Sequence, residues 1–163
     1  MIRRRSFTRS GSLSRQRHRR KRPLAYLRRL KVSDLMAADP VTASPDMTLA
    51  HVVNELFLRH WLSFIPVVED GILLGAIDGS VVSGIDREFW HSTRVDDIFI
   101  VPNREQLLTA STPIASVLKR IDRTGQRKFL IIEGRQLRGI LTLADLQTLY
   151  VQARQQPDKP RSH

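Results

Sequence analysis

Residues 66–75 read PVVEDGILLG, and residues 130–139, 64 positions later, read LIIEGRQLRG. Self-similarity at a fixed offset means that the globular part was built twice from one supersecondary unit. The likeness extends outward in both directions. Val32-Ser33-Asp34-Leu35-Met36 is answered by Val95-Asp96-Asp97-Ile98-Phe99, and Thr48 to Val53 by Pro113 to Leu118. A unit of about 60 residues is too long for a solenoid repeat, so the two copies are expected to be halves of one domain.

Around the quoted decapeptide the periodicities resolve into elements. Leu49, Val52, Val53, Leu56 and Phe57 form the stripe of a core-facing helix, with Pro45 and Asp46 suited to its opening turn. Phe64 to Val68 reads as a buried strand, Glu69-Asp70-Gly71 as a turn, and Ile72 to Ile77 as a second strand. The second copy repeats the helical stripe at Ile114, Val117, Leu118 and Ile121, then strands at Phe129–Ile132 and Leu137–Leu141. A last helix is predicted from Leu143 to about Ala153, with Leu146, Leu149 and Tyr150 on one face.

Composition sets the bounds. In 163 residues there is room for one domain with a sizeable core, whereas two independent domains would each be marginal. The net charge of +11 is unevenly spread: residues 1–31 hold 13 Lys or Arg and no acid, so 27 − 13 = 14 bases face 16 acids in the rest. Residues 1–23 are Arg- and Ser-rich with little to bury, and are expected to be a disordered basic tail. Residues 24–31 carry apolar side chains three apart and suit a short basic lead-in helix. The remaining divisions are a first unit at 32–86, a linker at 87–94, a second unit at 95–153 and a polar tail at 154–163. The absence of cysteine removes disulfide and thiolate chemistry. With no apolar run near the ~20 residues of a bilayer crossing and no signal-peptide stretch, a cytoplasmic protein is expected.

The doubled β-α-β-β-α order resembles a pair of CBS domains, the regulatory unit called a Bateman module. The resemblance rests on VSDLM, SPDMTL, SFIPVVEDGILLG and, above all, Gly139-Ile140-Leu141-Thr142-Leu143-Ala144-Asp145, which fits the family's G-h-x-[ST]-x-x-D pattern. It covers residues 32–151 and implies an α/β (α+β) fold of two units related by pseudo-two-fold symmetry. LAYLRRLKVSDLM and the 87–93 link are similar to CBS pairs appended to site-2 intramembrane zinc metalloproteases. That likeness points to a membrane protease or another effector as partner, at the cytoplasmic face of a membrane.

The family implies a binding module, with AMP, ADP or ATP as ligand in the cleft between units, no required cofactor, no catalysis, and assembly as a homodimer. The residues that match its pocket are Thr142 and Asp145 for the ribose, Arg127 and Lys128 for phosphates, and Ser33, Ala38, Leu62, Ser63 and Phe64 around the base. A carboxylate accepts ribose hydroxyls, and Arg and Lys suit phosphate oxygens. A structural reading stands beside each. Thr142-x-x-Asp145 before an apolar helix is also a variant capping box, Arg127-Lys128 also a solvated loop, and Leu62 and Phe64 also ordinary core. In the first copy Asp78 and Val81 occupy the positions of Thr142 and Asp145, so that site lacks its ribose carboxylate and is expected to be degenerate.

Other chemistry finds no support. There is no HExxH pair, no phosphate loop and no nucleophile elbow, and the five histidines lack metal spacing. His51 and His60 are expected at the surface of the first helix. The ten Lys or Arg between residues 3 and 22 suit a solubilising, unstructured extension first, and beside it nucleic acid or an anionic membrane.

Overall fold

The computed structural model describes residues 26–155, so the expected tail at 1–23 and all but the first two residues of that at 154–163 lie outside it, and those two belong to the last helix. Tyr26 and Leu27 are helical and Leu27 is buried, which anchors the described part of the basic lead-in. Two hairpins form the frame. In the first, β2 (Phe64–Glu69) pairs antiparallel with β3 (Ile72–Asp78). Asp70 at φ 51° and Gly71 at φ 80° make the left-handed two-residue turn whose twist suits a hairpin. In the second, β5 (Lys128–Glu133) pairs with β6 (Gln136–Thr142), and the pairing slips between Ile131 and Ile132, 64 positions after the slip between Val67 and Val68.

The hairpins join through their turns. Leu73 N donates to Arg135 O at 2.9 Å, and Leu137 N to Gly71 O at 3.1 Å, a reciprocal pair related by the repeat. The resulting sheet has the order β2-β3-β6-β5-β4, in which β4 (Leu107–Leu108) lies parallel to β5. Ala43 makes the matching parallel bridge to Val67 in the first half.

Helices pack on each half. Residues 49–60 form α1, opened by Thr48, whose Oγ1 accepts from His51 N at 3.2 Å. Its middle, Val52–Phe57, has π-helical pitch rather than the α pitch the apolar spacing predicts. The wider turn sets Phe57 near Val52 and Val53 in the core and leaves Leu56 half-buried. His51 and His60 are exposed, as expected. After α2 (Gly79–Ser83) come α3 (Ile114–Thr124) and α4 (Leu143–Gln155), the last longer than predicted by two residues. Leu146 is its buried anchor.

The packing departs from a simple division at residue 87. Val32 is fully buried, but in the core of the second repeat, among Leu108, Ile114, Val117, Phe129 and Leu141, with Leu35 and Met36 against it. Its amide donates to Thr112 O at 2.9 Å, and β1 (Ala37–Ala38) pairs with Ile140 and Gly139 of β6. Conversely Val95 is buried with Leu49, Val52 and Ile77 of the first repeat, and Ile100 bridges Ala76. Each repeat therefore lends its opening segment to the other. This exchange explains two glycines. A Cβ on Gly139 would stand 2.7 Å from Ala37 O, and one on Gly75 would stand 2.6 Å from Ile100 O, both too close for any side chain.

Candidate functional site

The two hairpins bring four repeat-related positions to the seam between the halves. Phe64 faces Asp78 across the β2–β3 ladder, and Lys128 faces Thr142 across β5–β6. Beneath them Phe64, Ala76 and Leu130 form a small apolar cluster with Leu73, Leu107, Leu137 and Ile140. Above it Lys128 crosses from the second half to the first: its Nζ is 3.4 Å from Ser63 O and 5.5 Å from the centre of the Phe64 ring.

Thr142 ends β6, and Asp145 lies in the first turn of α4. Asp145 Oδ2 accepts from Thr142 N at 2.8 Å and from Thr142 Oγ1 at 2.9 Å, and Asp145 N lies 3.3 Å from that same hydroxyl oxygen. The box is closed, as the capping reading required. It uses one carboxylate oxygen; among the described residues Oδ1 has no hydrogen-bond partner, and Asp145 is exposed. The Arg127 carbonyl accepts from Leu143 N at 2.8 Å, which fixes the chain beside the α4 amino terminus while the Arg127 side chain stays exposed.

Asp78, expected from its sequence position to belong to a separate degenerate site, sits at the same seam, opposite Phe64 and near Lys128. Burial opposes its ionisation, but the Ser80 hydroxyl, the Val81 and Ser80 amides and the Lys128 charge together outweigh it, so its carboxyl is held below the ordinary 3.8. Its amide partners are at 2.9 and 3.2 Å and cap α2. The signal was available: repeat alignment places Asp78 opposite Thr142 and Phe64 opposite Lys128, and a pseudo-two-fold axis brings such positions together.

The structure thus gathers Thr142, Asp145, Lys128, Ser63 and Phe64, with Arg127 at the margin. Two of the other candidates adjoin it, Leu62 beside Ser63 and Ala38 on β1 against β6. Leu62 is half-buried against the first core, Ser33 is exposed with its amide donating to Ala110 O at 2.9 Å, and Ala38 pairs with Gly139, three residues before Thr142. Chemically the seam offers a helix amino terminus and two cations against two carboxylates, suited to a ligand with hydroxyls and a small anionic group. Among the described residues no cluster of His, Asp or Glu could hold a metal ion, and no helix is long and apolar enough to cross a membrane.

Comparison with known proteins agrees with this architecture. Residues 32–78 match the model of the CBS domain. Over 117 residues, 72% of this chain, the sequence is 28% identical to the zinc metalloprotease MJ0392 of Methanocaldococcus jannaschii, and it spans 31% of that protein's length. Among solved structures, the CBS domain of the bacterial CNNM/CorC family Mg2+ transporter in complex with ATP superposes with a TM-score of 0.70 at 19% identity. That match covers 83% of this chain and 97% of the other. CBSX2 in complex with AMP gives 0.65 at 19% identity, over 77% and 98% of the two chains. The first repeat thus carries the CBS-domain match, and the described residues have the fold of a CBS domain pair.

Proposed function

We propose that this CBS pair is a non-catalytic regulatory module that binds an adenine nucleotide at the seam and signals to an effector or to its own dimer. The observation that carries the reading is the Lys128 bridge. A cation from one half rests on Ser63 and Phe64 of the other, within the ladder position opposite Thr142. A ligand that draws Lys128 to a phosphate changes a contact between the halves, which is the differential interaction an allosteric signal needs. Asp145 Oδ1 accepts one ribose hydroxyl, and the α4 amino terminus with Arg127 receives the phosphate. Asp78 and Asp145 limit how much negative charge the seam accepts, so AMP binds more tightly than ATP.

The relatives support the class of ligand, since similar folds hold ATP and AMP. The match to part of a zinc metalloprotease supports a membrane protease as effector, with the pair working at the cytoplasmic face. A homodimer formed through the helices completes the reading.

Thermal melting with AMP, ADP, ATP and S-adenosylmethionine tests it. A ligand at 100 times its dissociation constant adds ~2.7 kcal/mol of stability. Asp145→Ala then weakens binding about ten- to hundredfold, the scale of a hydrogen bond to a charged group, and costs the fold ~1 kcal/mol or less. Flat melting curves with all four compounds refute nucleotide binding. They would favour the alternative of a ligand-free interaction protein, whose CBS pair dimerises and whose basic tail binds nucleic acid or an anionic membrane surface; one observation stands behind it, that the Thr142–Asp145 box is closed and self-sufficient.

A further inference from the structure

The internal repeat offers a control for the exit of α1. Residues 58–61, Leu58-Arg59-His60-Trp61, align with Asp122-Arg123-Thr124-Gly125 at the exit of α3. Both helices end on a left-handed residue: Gly125 at φ 70° and ψ 9°, Trp61 at φ 54° and ψ 38°. Glycine adopts that conformation freely, and a bulky side chain does not. Trp61 is nonetheless there, 93% exposed, with Leu58 63% exposed one turn earlier. The second repeat closes the same fold with Asp and Gly at these places. Neither the strained cap nor the exposed apolar pair serves the packing.

We infer that the α1 exit is a lipid-docking point, where Leu58 and Trp61 insert into the head-group region of an anionic membrane surface. Three features select this occupant. The pair offers on the order of 300 Å², well under the ~800 Å² per partner of a stable protein interface, so a second copy is not held by it. Trp is suited to the head-group level of a bilayer, where binding scales with the apolar area inserted and with attraction to anionic lipid. The charge matches as well. Residues 56–68 contain no acid, and Glu55 just before them is paired with Arg59 at 3.0 Å, so the exit itself presents no net negative charge. The 13 Lys or Arg of residues 1–31 supply a second, electrostatic attachment, to which each one held near the surface adds. The inference does not depend on nucleotide binding at the seam.

The test uses the full chain with vesicles of phosphatidylcholine containing about one third phosphatidylserine, and with phosphatidylcholine alone. Trp90 is half-buried with its indole N–H on Ile85 O at 2.9 Å, so a change in tryptophan emission reports Trp61. With phosphatidylserine present, emission moves to shorter wavelength and is quenched by lipid brominated on its acyl chains. Trp61→Gly and Leu58→Asp each lower the bound fraction roughly tenfold or more, read by sedimentation, while Trp61→Gly melts no lower than the parent. Removing residues 1–23 also weakens binding and flattens its salt dependence. Vesicle binding by Trp61→Gly equal to that of the parent, or no binding by the parent, overturns the proposal. So does a shift of emission that follows protein concentration without lipid, because a second copy would then cover the site.

Discussion

Gly139→Ala is the sharpest perturbation of the exchanged segments. The added methyl carbon would stand 2.7 Å from Ala37 O and 3.1 Å from Met36 Sδ. A carbon next to a carbonyl oxygen settles at about 3.3 Å or more, so the Ala37 backbone must retreat by roughly 0.6 Å. Complete detachment of β1 would expose Val32, which is fully buried, at ~1.5–3 kcal/mol for that side chain alone, before Leu35 and Met36 are counted. Local retreat is cheaper, and overpacking of this kind costs ~1–3 kcal/mol. In a chain of this size that lowers the melting temperature by about 2–10 °C. Circular dichroism with heat and with urea reads the loss, and an unchanged urea slope shows that the unfolded surface is the same. Gly75→Ala tests the mirror contact with Ile100 O at 2.6 Å, and Gly79→Ala, with open space around its Cβ position, is the control. A Gly139→Ala protein that melts with the Gly79→Ala control refutes the packing argument.

Two further outcomes are expected. Because the Asp78 carboxyl is held below 3.8 in the folded chain, its stabilising contribution is present above that value and is lost as pH falls through the folded pKa. Asp78→Asn should therefore flatten the acid limb of stability measured by urea unfolding below about pH 4; an unaltered limb would mean that Asp78 is not the group responsible. Light scattering at tens of micromolar should give twice the chain mass of 18.7 kDa, and a monomeric mass would remove the proposed homodimer.

Much of the fold could be read from the repeat itself. The hairpin strands fall within a residue or two of the expected ranges, because turn chemistry at Asp70-Gly71 and Gly134 and the β-branched and other apolar runs beside them are local signals. The exchange of Val32–Ala38 and Val95–Ile100 was not legible in the residues themselves, since nothing in a short apolar segment says which of two similar cores will bury it; only the family resemblance set Ser33 and Ala38 in one pocket with Thr142 and Asp145. The π pitch of Val52–Phe57 escaped for a related reason. Leu49, Val52, Val53, Leu56 and Phe57 satisfy the 3.6 period, and the core then selects a wider turn. At the site, the Thr142–Asp145 spacing announced the capping box that forms. The Lys128 bridge to Ser63 and Phe64 spans 65 residues and needed the assembled sheet to be seen.

The exchanged segments also set a timetable for synthesis. Residue 37 has its strand partner at residue 140, 103 positions later, so the amino-terminal segment leaves the ribosome long before its place exists. At 5–20 residues per second that wait lasts about 5–20 s. Through it, Val32, Leu35 and Met36 stay uncovered, and the first repeat waits for residues 95–100 before its own core closes. A chain halted between the repeats would hold two unmatched halves of two different cores, and neither could finish without the other.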